Sequence, residues 1–477
     1  MRTRLQVLSD EERERVHEHT LALLEKTGVR VDSEQARAVL AEAGAQVDDR
    51  RVVRLPRALV ERALEAAPKR FALGGRREGF SIPLNEGGFT LLADGGATTV
   101  LDRDTGERRP GEYRDWREST LLLDALDDVG LYWWMVDANL GAEAPAGMVT
   151  YLRDLFGLFS KHVQDSFLDP TLAPWLLETL EIVFGGRDAV RALHPFSYLV
   201  TPTSPLVLER WCLDTWLALR GYDIPVAIMP MPLMGATAPG SMLATLVTAN
   251  AETLAVLTLL QCAEHGTPVI YAPVIAAMDP RSGRLAGGGI EHAVMAAAGV
   301  ELARSYGLPV EASGCGTDQF VPGSQAAYEK ALTAMVTGLA LPDILVGPGC
   351  LGGTMVLSFE QLLIDCEILR VVRKTQGGIT VSDELWLDDC FETAGHGGNF
   401  LGMPSTRCNA RSGEFYLPRL GMHDTWDAWR AAGAPDVTVE AREQVEELLA
   451  THEPLPLDED ARAALDELAA AAAAQTV

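Results

Sequence analysis

The stretch 342–378, PDILVGPGCLGGTMVLSFEQLLIDCEILRVVRKTQGG, decides the fold. It opens on an apolar run of strand length, Asp343-Ile-Leu-Val346, and crosses a Gly-rich loop. It then enters a helix through Ser358-Phe359-Glu360-Gln361, a capping-box pattern, and stops at Gly377-Gly378. Strand, loop and helix in one short unit is the repeat of a parallel α/β protein, because parallel strands need a crossover of a dozen or more residues.

Working outward, apolar runs of the same kind begin near Leu131 (LYWWMV), His162 (HVQDSF), Phe196 (FSYLV), Pro225 (PVAIMP), Pro268 (PVIYAP), Pro309 (PVEAS), Asp343 (DILVGP) and Gly378 (GITV). Their starts are 29 to 43 residues apart and span 247 residues, against roughly 250 for a (β/α)8 barrel. A doubly wound sheet is the rival, but no GxGxxG follows an early strand. The fold expected is therefore α/β, a (β/α)8 TIM barrel with an N-terminal α+β cap and C-terminal helices.

The cap is expected over residues 1–120. It has two amphipathic helical stretches, then short β segments around Gly-rich and Asp-Thr-Gly turns (FALGG, GFTLLADGG, TTVLDRDTGERRP). The barrel follows over 121–435, and two acidic helices over 436–477, expected to pack or to mediate a homo-oligomer.

Charge narrows the partners. Lys and Arg number 40 against 67 Asp and Glu, a net of −27, so nucleic acid and anionic membranes are disfavoured. The charged start, MRTRLQVLSDEERERVHEHT, is no secretory signal, and no apolar window of about 20 residues reads as a membrane span. Seven Cys, scattered and without CxxC, give neither a disulfide framework nor a zinc ribbon, so a cytoplasmic protein is expected.

In a barrel the chemistry sits at the C-terminal strand ends. The eight loops there contain Asp137-Ala-Asn139, Gln164-Asp-Ser166, Thr201-Pro-Thr203, Pro230-Met-Pro232, Tyr271-Ala-Pro273, Cys315-Gly-Thr-Asp-Gln319, Gly347-Pro-Gly-Cys350 and Ser382-Asp-Glu384, with no Lys or Arg. Phosphate substrates are therefore disfavoured. Aromatic residues recur at strand ends: Trp133, Trp134, Phe167, Tyr198 and Tyr271. They are either barrel core or an aromatic box for a quaternary ammonium. Cys315 and Cys350 end neighbouring strands, which makes a zinc-dependent hydrolase or lyase the rival chemistry, although no HxH, HExxH or HxC spacing accompanies them. A non-catalytic betaine-binding barrel is a third reading.

Several long motifs in order then carry a resemblance: HEHTLALLEKTGVRVDSEQARAVLAEAGAQVD (17–48), the DxxTGERRP turn (102–110), TPTSPL (201–206), MPLMGATAPGSMLATLVTANAETLA (231–255), TDQFVPGSQAAYEKALTAMVTG (317–338), SFEQLLIDCEILR (358–370) and GGNFLG (397–402). The chain resembles the trimethylamine methyltransferase (MttB-like) superfamily along nearly its whole length. The resemblance implies a barrel that moves a methyl group from a methylated amine to Co(I) of a separate corrinoid-binding protein, with no corrinoid held tightly by the chain itself. The family's pyrrolysine position falls at Gln319 or Phe320, ordinary residues here. This resembles the non-pyrrolysine branch, which implies a quaternary amine of the glycine betaine kind. Met403-Pro404-Ser405 stands where the family pattern has the two histidines of FLGHxHT.

Loop position and family motif together place Asp318, Gln319, Gln325 and Glu329 as the catalytic group. They place Trp133, Trp134, Phe167, Tyr271, Phe320, Glu360, His396 and Asn399 around the substrate. No metal is expected in the chain's own site.

Overall fold

The computed structural model describes residues 3–475. Eight short parallel strands form one sheet: β1 (Thr90–Leu92), β2 (Val129–Tyr132), β3 (His162–Asp165), β4 (Phe196–Val200), β5 (Val226–Ile228), β6 (Val269–Tyr271), β7 (Glu311–Ser313) and β8 (Ile344–Val346). The hydrogen-bonded order runs β6-β5-β4-β3-β2-β1-β8-β7, and a parallel bridge from Tyr271 to Val310 brings the two edges together. The (β/α)8 barrel is thus present, and its inward positions pack Leu92, Leu131, Leu199, Ala227, Ile270 and Ile344 into one apolar plug.

Seven of the eight expected strands take their places. The eighth does not: Gly378–Val381 forms no strand, and Ile379 and Val381 are 86% and 75% exposed. The missing strand is β1, which pairs Leu91 with Val129 and Ile344 with Thr90. The sequence reading had put this run in the N-terminal cap, so a boundary at 120 cuts through the barrel. The cause is local: GFTLLADGG is short, flanked by glycines, and followed by a real antiparallel hairpin, Thr99–Leu101 with Arg108–Pro110. A short apolar run does not by itself declare its partners.

Each barrel strand is followed by a helix. After β5 comes α1 (Met242–Ala263), after β6 α2 (Ile290–Ser305), after β7 α3 (Ser324–Leu339) and after β8 α4 (Phe359–Gly377). Ser358 Oγ accepts the Gln361 N–H at 3.2 Å, so the serine caps α4, but Gln361 reaches on to Asp365 instead of back. By length and composition α1 could cross a membrane, yet 83% of its apolar window is buried, under the N-terminal helix Asp10–Lys26 among others. Of the C-terminal helices, α5 (Val437–Thr451) packs on α4, and α6 (Glu459–Gln475) packs on the helix Pro145–Leu158.

Candidate active site

A cavity of about 410 Å³ opens at the C-terminal ends of the strands, over Leu92, Gln164, Leu199, Ser313 and Val346. Its aromatic wall begins where β2 ends. Tyr132 still obeys strand alternation and points outward, its hydroxyl accepting from Trp116 Nε1 at 2.9 Å. Beyond Tyr132 the chain leaves the strand, so alternation no longer separates the next two residues. Trp133 and Trp134 both line the cavity, stacked with centroids 5.6 Å apart.

A third indole, Trp211, faces the same space, and its Nε1–H donates to Glu209. The sequence reading did not single out Trp211. Asp94, in the loop after β1, was also missed because β1 was. It lines the cavity, and its carboxylate accepts the Gly95 N–H at 3.0 Å. Burial pushes Asp94 up to about 7, against the pull of Lys330. A Cβ on Gly95 would lie 1.9 Å from Trp133 Cδ1, so this glycine lets the Asp94 loop lie against the indole. No Lys or Arg lines the cavity among the described residues.

Polar side chains beneath are tied to one another. Gln164 Nε2 donates to the buried Glu311 at 3.1 Å, and burial pushes Glu311 up to about 7. Ser197 Oγ lies 3.1 Å from Gln164 Oε1 and 2.9 Å from His162 Nε2. Burial holds His162 down at about 3, so it is neutral. On the opposite wall His292 contacts the Ile275 carbonyl at 2.9 Å and Ser313 Oγ at 3.1 Å, and burial lowers its pKa as well.

The four residues expected as catalytic come together, behind the wall. Glu329 accepts from Thr317 Oγ1 at 2.5 Å, from the Asp318 N–H at 2.9 Å and from Gln325 Nε2 at 2.9 Å, while Gln319 Nε2 donates to Gln325 at 3.3 Å. Asp318 accepts the N–H groups of Gly287 and Gly288 at 2.8 and 3.2 Å, and burial raises its pKa. None of the four lines the cavity; Thr317 and Gly287 do. The network clamps the loop after β7 to the loop after β6.

The remaining expected substrate contacts sit elsewhere. Tyr271 is corrected outright: alternation sends Ile270 inward, and the buried tyrosine donates to Asn250 of α1 at 3.1 Å. Phe167 is buried in an adjoining recess, and Phe320, 47% exposed, covers Gly352. Glu360 is buried in an ion pair with Arg442 of α5 at 3.0 Å, and so anchors the C-terminal helices. His396 and Asn399 lie on an exposed segment and do not line the cavity.

Cys350 lines the cavity and Cys315 is buried behind it; burial holds both thiols well above their ordinary value. Among the described residues no group of three or more His, Cys, Asp or Glu could hold a metal ion. That removes the geometric support for the zinc reading.

Fold and cavity together define a (β/α)8-barrel enzyme with an aromatic, acid-bearing site at the strand ends. The chain belongs to the trimethylamine methyltransferase (MTTB) family, whose family model matches residues 1–476. It is 32% identical over 464 residues to the trimethylamine methyltransferase of Desulfitobacterium hafniense DCB-2, covering 96% of this chain and 92% of that one. It is 30% identical over 466 residues to a glycine betaine methyltransferase of D. hafniense Y51, covering 96% and 95%. The protein is accordingly a methyltransferase. Among solved structures, the monomethylamine methyltransferase of Methanosarcina barkeri aligns over 92% of each chain at 12% identity with a TM-score of 0.48, too loose a likeness to add to the topology.

Proposed function

We propose that the enzyme takes a methyl group from a quaternary amine and delivers it to the Co(I) of a corrinoid carried by a separate protein. The observation that carries the reading is the cavity wall: three indoles and one carboxylate around a space that no Lys or Arg lines among the described residues. Desolvated aromatic faces hold a cation with roughly 2 kcal/mol each at best, and a quaternary ammonium offers no N–H, so rings suit it better than hydrogen-bond acceptors do. A cavity of about 410 Å³ suits a small amine and not a corrin macrocycle, which supports a methyl acceptor presented from outside.

The N–CH3 bond breaks with its electron pair left on nitrogen, and the methyl passes to the reduced corrinoid as a carbon electrophile. A neutral tertiary amine departs, so no general acid is needed. Positive charge leaves nitrogen during the step, and a site that held the cation too strongly would oppose it. Diffuse ring electrostatics and one carboxylate meet that requirement. The walls do the remaining work: Trp133 and Trp134 orient the ammonium, and the polar groups beneath are tied to one another rather than aimed at the reacting carbon.

Turnover of variants tests this. With free Co(I) cobalamin as acceptor and a trimethylammonium donor, Trp133→Leu and Trp211→Leu are each expected to lower kcat/KM by about tenfold or more, the loss of one desolvated cation–π contact. Unchanged kcat/KM in both would remove the support for the reading.

A further inference from the structure

We infer that the substrate is a net cation without a carboxylate group: a quaternary ammonium with a neutral or hydroxylated tail, not a zwitterionic betaine. This rests on the quaternary-amine reading above and narrows it.

A carboxylate in so small a site would need a cation or an array of free N–H groups; among the described residues no Lys or Arg lines it, and most of the lining glycines spend their N–H groups on the protein itself. Lys330, the cation that acts on Asp94, is fully buried and donates to the Cys315 carbonyl at 2.8 Å, the Gly347 carbonyl at 3.2 Å and Asp365 at 2.7 Å. All three of its protons are engaged away from the cavity. His292 is held neutral by burial.

Six of the seven lining glycines spend their N–H groups as well. The N–H of Gly95 goes to Asp94, of Gly96 to the Trp134 carbonyl, of Gly287 to Asp318, of Gly314 to the Val346 carbonyl, of Gly316 to Thr333 and of Gly353 to the Thr317 carbonyl. The Gln164 amide donates to Glu311 and the Trp211 N–H to Glu209. Among the side chains, what remains for a ligand is indole faces, a few hydroxyls and the Asp94 carboxylate.

The adjoining space is no kinder to an anion. Past Trp134, Ser166 and Leu168 the cavity adjoins a second recess of about 450 Å³, lined by Asp137, Glu143, Asp165 and Asp169 and, among the described residues, again by no Lys or Arg. A betaine whose ammonium sat among the indoles would point its carboxylate at Asp94 or into this acidic recess. A hydroxyl in the same place meets acceptors it can donate to.

Choline and glycine betaine are the matched probes, since they share the trimethylammonium head and differ in the tail; tetramethylammonium is the head alone. Affinities are read by quenching of the cavity tryptophans and by calorimetry on the full chain. Choline is expected to bind about tenfold or more tighter than glycine betaine, a gap of about 1.4 kcal/mol. Asp94→Asn should narrow that ratio. Leu168→Arg, at a 59% exposed position on the rim of both spaces, should narrow it too, by raising glycine betaine affinity.

Glycine betaine binding as tightly as choline would overturn the inference and leave the quaternary-amine reading standing. Binding of none of the three probes would overturn both. A choline preference that neither substitution changes would also overturn the inference, since its electrostatic cause would be absent.

Discussion

Removing the Lys330 side chain tests whether the site's back wall is held by one buried ion pair. Lys330 and Asp365 are both fully buried, 2.7 Å apart. Burial pulls each toward its neutral form, but the ammonium donates three hydrogen bonds. The carboxylate accepts from Lys330, from the Gly349 N–H at 2.8 Å and from Gln361 Nε2 at 2.7 Å, so the charged pair is held. The lysine joins the loop after β7, through Cys315, to the loop after β8, through Gly347.

Lys330→Met keeps the apolar volume and leaves Asp365 buried without its counter-charge, which costs about 3–5 kcal/mol. Asp365→Leu strands the ammonium at a similar cost. The double variant removes both charges and should lose much less than the two single losses together, a coupling of about 3 kcal/mol. Urea denaturation of the four proteins of the cycle reads this directly. A loss below about 1 kcal/mol for Lys330→Met, or full additivity in the double variant, would refute the reasoning.

Other tests follow from the same geometry. Asp94 is raised to about 7 by burial, and a cation favours its ionised form, so trimethylammonium binding should weaken as pH falls below about 7, approaching tenfold per unit, and level off above about 8. Asp94→Asn should flatten most of that profile. Because Asp94, Asp165, Glu252 and Glu311 all sit near 7 when folded, above the ordinary carboxyl value near 4, the folded state holds more protons between these limits. The ligand-free protein should therefore lose stability as pH rises from about 4 to 7, read as a falling urea midpoint. Gly95→Ala places a methyl group 1.9 Å from Trp133 Cδ1 and 2.5 Å from the Trp134 carbonyl oxygen, so it should displace both the indole and the loop and weaken trimethylammonium binding by about tenfold or more. Tyr271→Phe removes a buried hydrogen bond to Asn250 and should cost about 1 kcal/mol of stability without altering ligand affinity.

The barrel was legible because strand, loop and helix recur with proper punctuation, as Ser358 and Gly377-Gly378 illustrate. What escaped was set by neighbours rather than by local pattern. Thr90–Leu92 is as apolar and as short as Gly378–Val381, and only pairing with β2 and β8 makes it a barrel strand. That error hid Asp94. Trp133 and Trp134 were visible as rings at a strand end, but that both face the cavity depends on β2 stopping at Tyr132. Asp318, Gln319, Gln325 and Glu329 were found together by loop position and motif; sequence spacing does not distinguish a wall from the network behind it. Tyr271 and Glu360 look like site residues until Asn250 and Arg442 are brought against them. The exposed segment carrying His396 and Asn399 also exposes Trp386, Phe391, Leu401 and Trp426, and none of these residues lines the cavity.

The most direct measurement is the spectrum of free Co(I) cobalamin mixed with the enzyme and a trimethylammonium donor under strictly reducing conditions. Choline should bring an enzyme-dependent loss of the Co(I) spectrum with release of one equivalent of N,N-dimethylethanolamine. No reaction with choline, glycine betaine or tetramethylammonium, while the tertiary amine trimethylamine is demethylated, would contradict the assignment of a quaternary amine.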